Sequence, residues 1–212
     1  FRSAAFVQAA FADMLFSPEE KEIYPDAASK SHIPQVDLGK MDQVMEGAHR
    51  PGHFKGVIQV VHRLFDIVKP DVAFFGEKDF QQLAIVRAMV KQLNLPVEIV
   101  ACPTIRERDG LAMSSRNARL TTEQRAEAAV IFKALDDVRD RCHDMPLTSL
   151  KARAAQMIEA SGHFKVDYVE IADADSLMPV QSMDDAGNIR CFVAATIGGI
   201  RLIDNVILQA LI

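Results

Sequence analysis

Residues 103–117 read PTIRERDGLAMSSRN and gather the groups that handle an anion. Arg106, Arg108 and Arg116 supply cations, and the adjacent Ser114 and Ser115 supply hydroxyl donors. Asp109-Gly110 is a turn dipeptide, so the segment reads as a loop carrying these groups. Guanidinium and hydroxyl together suit phosphate, whose oxygens accept charge-assisted and neutral hydrogen bonds alike. A second cluster lies upstream. Residues 71–75, DVAFF, are followed directly by Gly76, Lys78 and Asp79. Gly76 lets backbone approach a ligand, Lys78 can reach a phosphate, and Asp79 can accept hydrogen bonds from ribose hydroxyls.

These groups need elements to hold them. The apolar run 71–75 predicts a strand, and Leu83, Val86, Val90 and Leu93 recur at helical spacing, predicting a helix over 79–93. Residues 97–101 predict the next buried strand, so the three form a parallel strand–helix–strand unit. Ligands in such sheets bind beyond the carboxyl ends of the strands, where Gly76 and Gln82 fall. Upstream, a helix is predicted over 6–11, a short strand over 14–16, and a helical turn after Ser17-Pro18. Residues 26–42 read as irregular, and a helix is predicted over 56–69 with Val57, Val60, Val61, Leu64 and Val68 on its buried face.

The pattern changes after Cys102. Thr121-Thr122-Glu123-Gln124 is a capping-box sequence before a helix reaching about residue 141, and a second helix is predicted over 148–160. Strand-like runs follow at 166–172, 191–197 and 200–208, with Gly198-Gly199 as a hairpin turn. Helices followed by adjacent strands indicate a small α+β unit. The predicted organisation is a partial nucleotide-binding Rossmann-like domain over 1–104 and a C-terminal α+β lid and dimer-side domain over 105–212. The loop then falls between the two, as a lid over a cleft.

Bulk properties narrow the class. A net charge of −5 argues against a nucleic-acid surface, and no run approaches the roughly 20 apolar residues of a membrane span. The chain does not open on a basic-then-apolar signal segment. Cys102, Cys142 and Cys191 are widely spaced and odd in number, which fits free thiols in a reducing cytoplasm better than a disulfide or zinc pattern.

Four separated blocks, EGAHRPGHFKGV, GEKDFQQL, GLAMSSRN and RLIDN, resemble those of the pantothenate synthetase (pantoate–β-alanine ligase) family, in that family's order. The resemblance covers essentially the whole chain. It implies an α/β fold: a partial Rossmann-like nucleotidylyl-transferase domain followed by a small α+β domain. It also implies an AMP-forming carbon–nitrogen ligase that condenses pantoate with β-alanine through a pantoyl adenylate, using ATP and Mg²⁺ and releasing pyrophosphate. Residue by residue, it gives Lys78, Ser114, Ser115 and Arg116 catalytic contact with the ATP phosphates. Gly76 and Asp79 go to the ribose, Ile105 and Met113 to the adenine pocket, and His53 and Gln82 to pantoate. Glu46 and Arg50 are expected near the active site, and Arg201 and Asp204 are expected to hold the second domain together. His49 and His62 are expected to be structural, and Gln81 an ordinary surface glutamine. No protein ligand for the metal is assigned. A homodimer in the cytoplasm is implied as well.

The family opens with a strand, a glycine turn and a HIGH-type motif whose histidines contact ATP. This chain begins at Phe1, and His49-Arg50-Pro51-Gly52-His53 belongs to a different block. The expectation is a chain lacking the family's N-terminal part and nearly inactive alone. Two rival readings stay open: a non-catalytic ligand-binding or dimerisation fragment, and another adenylyl transferase. Gln82 with the RPGH block argues against the second.

Overall fold

The computed structural model describes residues 12–26 and 33–210; the helix expected over 6–11 lies outside them. The first segment contains α1 (Glu20–Ile23), α2 (Met45–His49), α3 (His53–Val68), β1 (Val72–Gly76), α4 (Phe80–Gln92) and β2 (Glu98–Cys102). The second contains α5 (Thr122–Glu127), α6 (Val130–Arg141), α7 (Leu147–Glu159), β3 (Phe164–Asp173), β4 (Ile189–Ile197) and β5 (Ile200–Gln209). The mixed α/β class is as expected, with a parallel sheet in one segment and a separate antiparallel sheet in the other.

β1 and β2 pair in parallel from Val72↔Glu98 to Gly76↔Cys102, joined by α4. A 3-10 turn, Glu77–Asp79, connects Gly76 to α4, so the polar residues sit at the carboxyl end of β1. β2 is only partly covered rather than buried, and Phe74 on β1 is 70% exposed. The cause is the sheet's width: among the described residues it has two strands. Residues 14–16 form no strand. Met14, Leu15 and Phe16 are exposed, with no described neighbour strand to pair with.

α3 starts three residues earlier than expected, because Gly52 takes a left-handed conformation as its N-cap and turns the chain into the helix at His53. Its buried residues are Phe54, Val57 and Ile58, with Val61 and Phe65 packed beside them. Val60 and Val68 are exposed, so the apolar stripe runs one position out of phase with the expected one.

In the second segment Thr121 and Gln124 form the anticipated capping box. Gln124 N donates to Thr121 Oγ1 at 3.3 Å and Thr121 N to Gln124 Oε1 at 3.1 Å. The single helix expected from there is broken by a turn at 128–129 into α5 and α6. β3, β4 and β5 run antiparallel in that order. Gly198 and Gly199 make the hairpin turn with positive φ, and a Cβ on Gly198 would lie 2.1 Å from Gln124 Nε2. One face of the sheet packs on α6 and α7 through Ile131, Leu135, Leu150, Ile158, Ile171 and Val193, each at most 1% exposed.

A further cluster crosses between the segments. Phe80 and Leu83 of α4 meet Ala172 of β3, Leu177 and Phe192 of β4, with the Phe80 and Phe192 rings 5.9 Å apart. Burying a phenylalanine side chain stabilises by roughly 1.5–3 kcal/mol, so this seam fixes the β1–α4 turn against the antiparallel sheet. That contact positions the site.

Candidate active site

Two cavities lie along the junction, and Lys78 lines both. The first, a narrow cleft, is also lined by Glu46, Arg50, His53, Asp79 and Gln82. The second, smaller still, is lined by Ser114, Arg116, Asn117 and Arg201. Gly76, Ile105, Met113 and Ser115 line neither.

The cleft's walls are tied down by bonds between distant segments. Glu46, 8% exposed, is the hub. Tyr168 donates its hydroxyl to Glu46 Oε1 at 2.9 Å, and Arg201 Nη1 lies 2.7 Å from each carboxylate oxygen. Arg201 also donates to Asp167 at 2.6 Å. A bulge in β3 between Val166 and Tyr168 leaves Asp167 out of the pairing, and Arg201 grips the carboxylate there. Burial opposes the Arg201 charge, but the bonds to Glu46 and Asp167 outweigh it and hold its pKa above the ordinary value. Burial first, then the Glu46 carboxylate, push the Tyr168 phenol upward, so it is a donor at any physiological pH. Arg201 therefore does more than hold the second segment together: it joins β5 to α2.

Asn205, which lines the cleft with Ile203, anchors the Glu77–Asp79 turn. Its Nδ2 donates to the carbonyls of Glu77 at 2.8 Å and Lys78 at 3.1 Å. Its Oδ1 accepts from Arg190 at 2.6 Å, and Arg190 in turn pairs with Glu77 at 3.0 Å and lies over the Phe80 ring. Burial lowers the Arg190 pKa, and Glu77 offsets part of the effect. Asn205 was not singled out in the sequence beyond its block, and its partners are 127 and 128 residues away.

Lys78 is poised by this arrangement. Its side chain is 14% exposed and its Nζ lies 3.2 Å from Asp79 Oδ2. Asp79 occupies the N-cap of α4 but makes no side-chain cap bond, so its carboxylate is spent on Lys78 and the cleft instead. Gly76 has φ −71°, an ordinary extended value, and a Cβ there would meet nothing within 4 Å. The fold itself does not demand glycine at this position, and the space beside it is open.

Gln81 and Gln82 diverge sharply. Gln81 is buried and fully used: its Oε1 accepts from Glu46 N at 3.0 Å, and its Nε2 donates to the carbonyls of Met41 and Val44. It is a structural clasp, not a surface residue. Gln82, one residue on, lines the cleft.

His53, in the first turn of α3, completes the cleft. Arg50 Nη1 lies 3.1 Å from its Nε2, and the Phe54 ring is 5.0 Å away. Burial first, then Arg50, hold the His53 pKa below its ordinary value, against the pull of Glu46 and Asp79.

The loop departs from the reading of three free cations. Arg106 donates to both oxygens of Asp204, at 2.6 and 3.0 Å, and to the carbonyl of Gly110, and it stacks on Phe132. It is consumed in holding the loop to β5, and Asp204 thereby joins loop to sheet rather than serving the second segment alone. Asp204 is buried, which raises its pKa, with Arg106 opposing. Gly110 turns the loop at φ +91° with Phe132 directly beneath it. Arg116 does line the second cavity, and its guanidinium makes no hydrogen bond or ion pair with the described residues. Ser114 caps the following 3-10 turn by accepting from Arg116 N at 3.2 Å. Asn117 Oδ1 and Arg201 Nη2, from two residues lining the same cavity, are buried without a partner among the described residues. Ile105 and Met113 are 67% and 51% exposed, so neither packs in a core.

Comparison with known proteins gives the family. The family described as Pantoate-beta-alanine ligase matches residues 2–207. The chain belongs to that family. Pantothenate synthetase from Cytophaga hutchinsonii is 43% identical over 198 residues, covering 92% of this chain and 69% of that relative. The one from Cereibacter sphaeroides is 42% identical over 97% of this chain and 72% of its own length. Among solved structures, pantothenate synthetase from Thermus thermophilus superposes with a TM-score of 0.91 at 41% identity, over 98% of this chain and 74% of that one. Pantoate-beta-alanine ligase from Francisella tularensis, complexed with beta-gamma ATP and beta-alanine, superposes with a TM-score of 0.75 at 31% identity, over 98% and 69%. Family membership supports a ligase that joins pantoate to β-alanine. Among the described residues no helix is long and apolar enough to cross a membrane.

Proposed function

We propose that this protein condenses pantoate with β-alanine in an ATP-dependent reaction that passes through a pantoyl adenylate and releases AMP and pyrophosphate. The observation that carries the reading is Lys78, whose side chain lines both cavities. Adenylation needs the acyl carboxylate on one side of the α-phosphorus and the departing pyrophosphate on the other, with a cation between. Gln82 and His53 stand on the acyl side; Ser114 and Arg116 stand on the side where the phosphates leave. Ser115, Gly76, Asp79, Ile105 and Met113 are then assigned to phosphate, ribose and adenine.

The pantoate carboxylate attacks the α-phosphorus, and the bond to the β-phosphate oxygen breaks. Lys78 and Arg116 stabilise the charge that develops there. The β-alanine amine then attacks the acyl carbonyl, loses a proton, and AMP leaves. Positioning and charge stabilisation suffice, with no covalent attachment to the protein. ATP brings Mg²⁺ on its phosphates, an ion that keeps several waters and needs few protein ligands. We further assign the protein to the cytoplasm as a homodimer, with residues 1–104 and 105–212 as its two domains.

Turnover with all three substrates should yield AMP, pyrophosphate and pantothenate in equal amounts. Release of ADP would exclude the adenylate route. Binding of a non-hydrolysable pantoyl-adenylate analogue to the 212-residue chain, followed by calorimetry, tests the joined cavities without requiring turnover.

A further inference from the structure

We infer that Arg50 holds His53 neutral as its Nδ1–H tautomer, so that His53 meets the acyl substrate as a hydrogen-bond donor and not as a base. The donor role rests on the pantoate reading of the cleft; the tautomer does not. Arg50 Nη1 lies 3.1 Å from His53 Nε2. A guanidinium carries donors only, so Nε2 must present its lone pair. An imidazolium has no lone pair to present and would set positive charge against positive charge. The single ring proton is therefore on Nδ1.

The geometry is locked from the backbone. Arg50 N donates to the carbonyl of Glu46 at 2.8 Å, and His53 N donates to the carbonyl of Arg50 at 3.0 Å. The Arg50 guanidinium also lies 3.8 Å from Glu46 Oε2. The charged groups facing the ring are Arg50, Glu46 from α2, Asp79 from the turn before α4, and Arg116 from the loop. Glu46 is already bound by Arg201 and Tyr168, so it offers an imidazolium little help. Burial and Arg50 lower the His53 pKa, which agrees with a neutral ring. No described residue bonds Nδ1, and His53 lines the cleft beside Gln82. A neutral N–H and a neutral amide there can both bond a carboxylate or hydroxyl without neutralising it as a nucleophile.

Nuclear magnetic resonance on ¹⁵N-histidine-labelled protein tests this directly, by correlating the ring nitrogens with the carbon-bound ring protons. His53→Gln identifies the His53 signals. Without substrate at pH 7, Nδ1 should be protonated and Nε2 bare, the reverse of free histidine's preference, with a titration midpoint below 6.5. Arg50→Met keeps the stem but not the donor. It should shift the ring toward Nε2–H and raise the midpoint, and Arg50→Lys should restore the original pattern. A protonated Nε2 in the unmodified protein overturns the inference, as does an unchanged tautomer in Arg50→Met. If Arg50→Met fails to fold, the unmodified protein's spectrum decides alone. Pantoate should then move the Nδ1 resonance. Pantoate that binds by calorimetry but leaves Nδ1 unmoved overturns the donor role and spares the tautomer. Pantoate that does not bind sinks the substrate reading and the donor role together.

Discussion

The two cavities that share Lys78 are built in opposite ways. Around the first cleft, Gln81, Glu46, Tyr168 and Asn205 are bonded to one another, to Arg201 or to backbone. Around the loop cavity, the Arg116 guanidinium makes no hydrogen bond or ion pair with the described residues, and Asn117 Oδ1 and Arg201 Nη2 have no described partner. A buried polar atom without a partner costs about 1–3 kcal/mol, so the loop side is the less completely satisfied of the two. The lesson is a division of labour. One wall is already satisfied by its own bonds, and the other keeps polar groups without a described partner.

The largest way to break this contrast is to release the loop from the sheet. Asp204 is 2% exposed and pairs with Arg106 through both oxygens. Removing one member of a buried pair costs about 3–5 kcal/mol, because the other charge stays buried alone. Asp204→Ala should therefore lower stability by about that much. It should also erase the difference between the cavities by loosening the wall that both share. Urea denaturation checks it. A midpoint within experimental error of the parent would mean that the Arg106–Asp204 pair does not hold the loop.

Next in size is Lys78→Ala, which removes the cation that lines both cavities. Loss of one transition-state donor typically costs on the order of 100-fold or more. Adenylate formation in a single turnover should fall by about that factor at saturating ATP. A change confined to the ATP requirement would instead make Lys78 a ground-state contact.

How far the sequence announced this contrast depends on the distance between partners. The strand–turn–helix around Gly76, the capping box at Thr121 and the Gly198 hairpin were legible because their signals are local. The sequence grouped Lys78, Gln82 and His53 by family resemblance, and the structure places them on one cleft. It did not reveal that Gln81 is buried, since adjacent glutamines are chemically identical until the helix phase and segment 41–46 are fixed in space. Arg106 looked like an anion ligand because its carboxylate partner lies 98 residues away. Glu46 and Arg201, 155 residues apart, could be joined only by the bulge in β3 and the seam around Phe80. The α3 stripe was misphased because the same helix offers several apolar positions, and only its packing partners select among them.

A smaller effect sharpens the bonded side. Gln82→Ala deletes a neutral amide from the cleft while leaving the Gln81 clasp intact. A neutral hydrogen bond contributes about 0.5–1.5 kcal/mol, so the pantoate requirement should rise by roughly tenfold or less with the adenylation rate at saturation nearly kept. Gln81→Ala should do the opposite: lower stability first, because it strands Glu46 N and the carbonyls of Met41 and Val44. If Gln82→Ala changed neither quantity, Gln82 would not touch pantoate.

The smallest expected effect concerns the loop's outer end. Arg125 of α5 donates to both oxygens of Asp109, at 2.6 and 3.1 Å, and this is the tip's anchor opposite Arg106. The Arg125 bond holds the Asp109 pKa below its ordinary value. A carboxylate depressed in the folded state contributes stability above its unfolded pKa, near 3.8, and that contribution fades as pH falls through the folded pKa. Asp204 has the opposite sign: burial raises its folded pKa, so acid favours its protonated form in the folded protein more than in the unfolded one. Asp109 is 40% exposed, and solvent-screened pairs of this kind contribute about 0.2–1 kcal/mol. Asp109→Asn should therefore cost little at pH 7 and progressively less as pH falls through the folded pKa, where the parent's carboxylate itself becomes protonated. Thermal melts of both proteins from pH 7 to pH 3 would show two curves that converge on the acid side. Curves that stay parallel would mean that the Arg125–Asp109 charge pair contributes nothing.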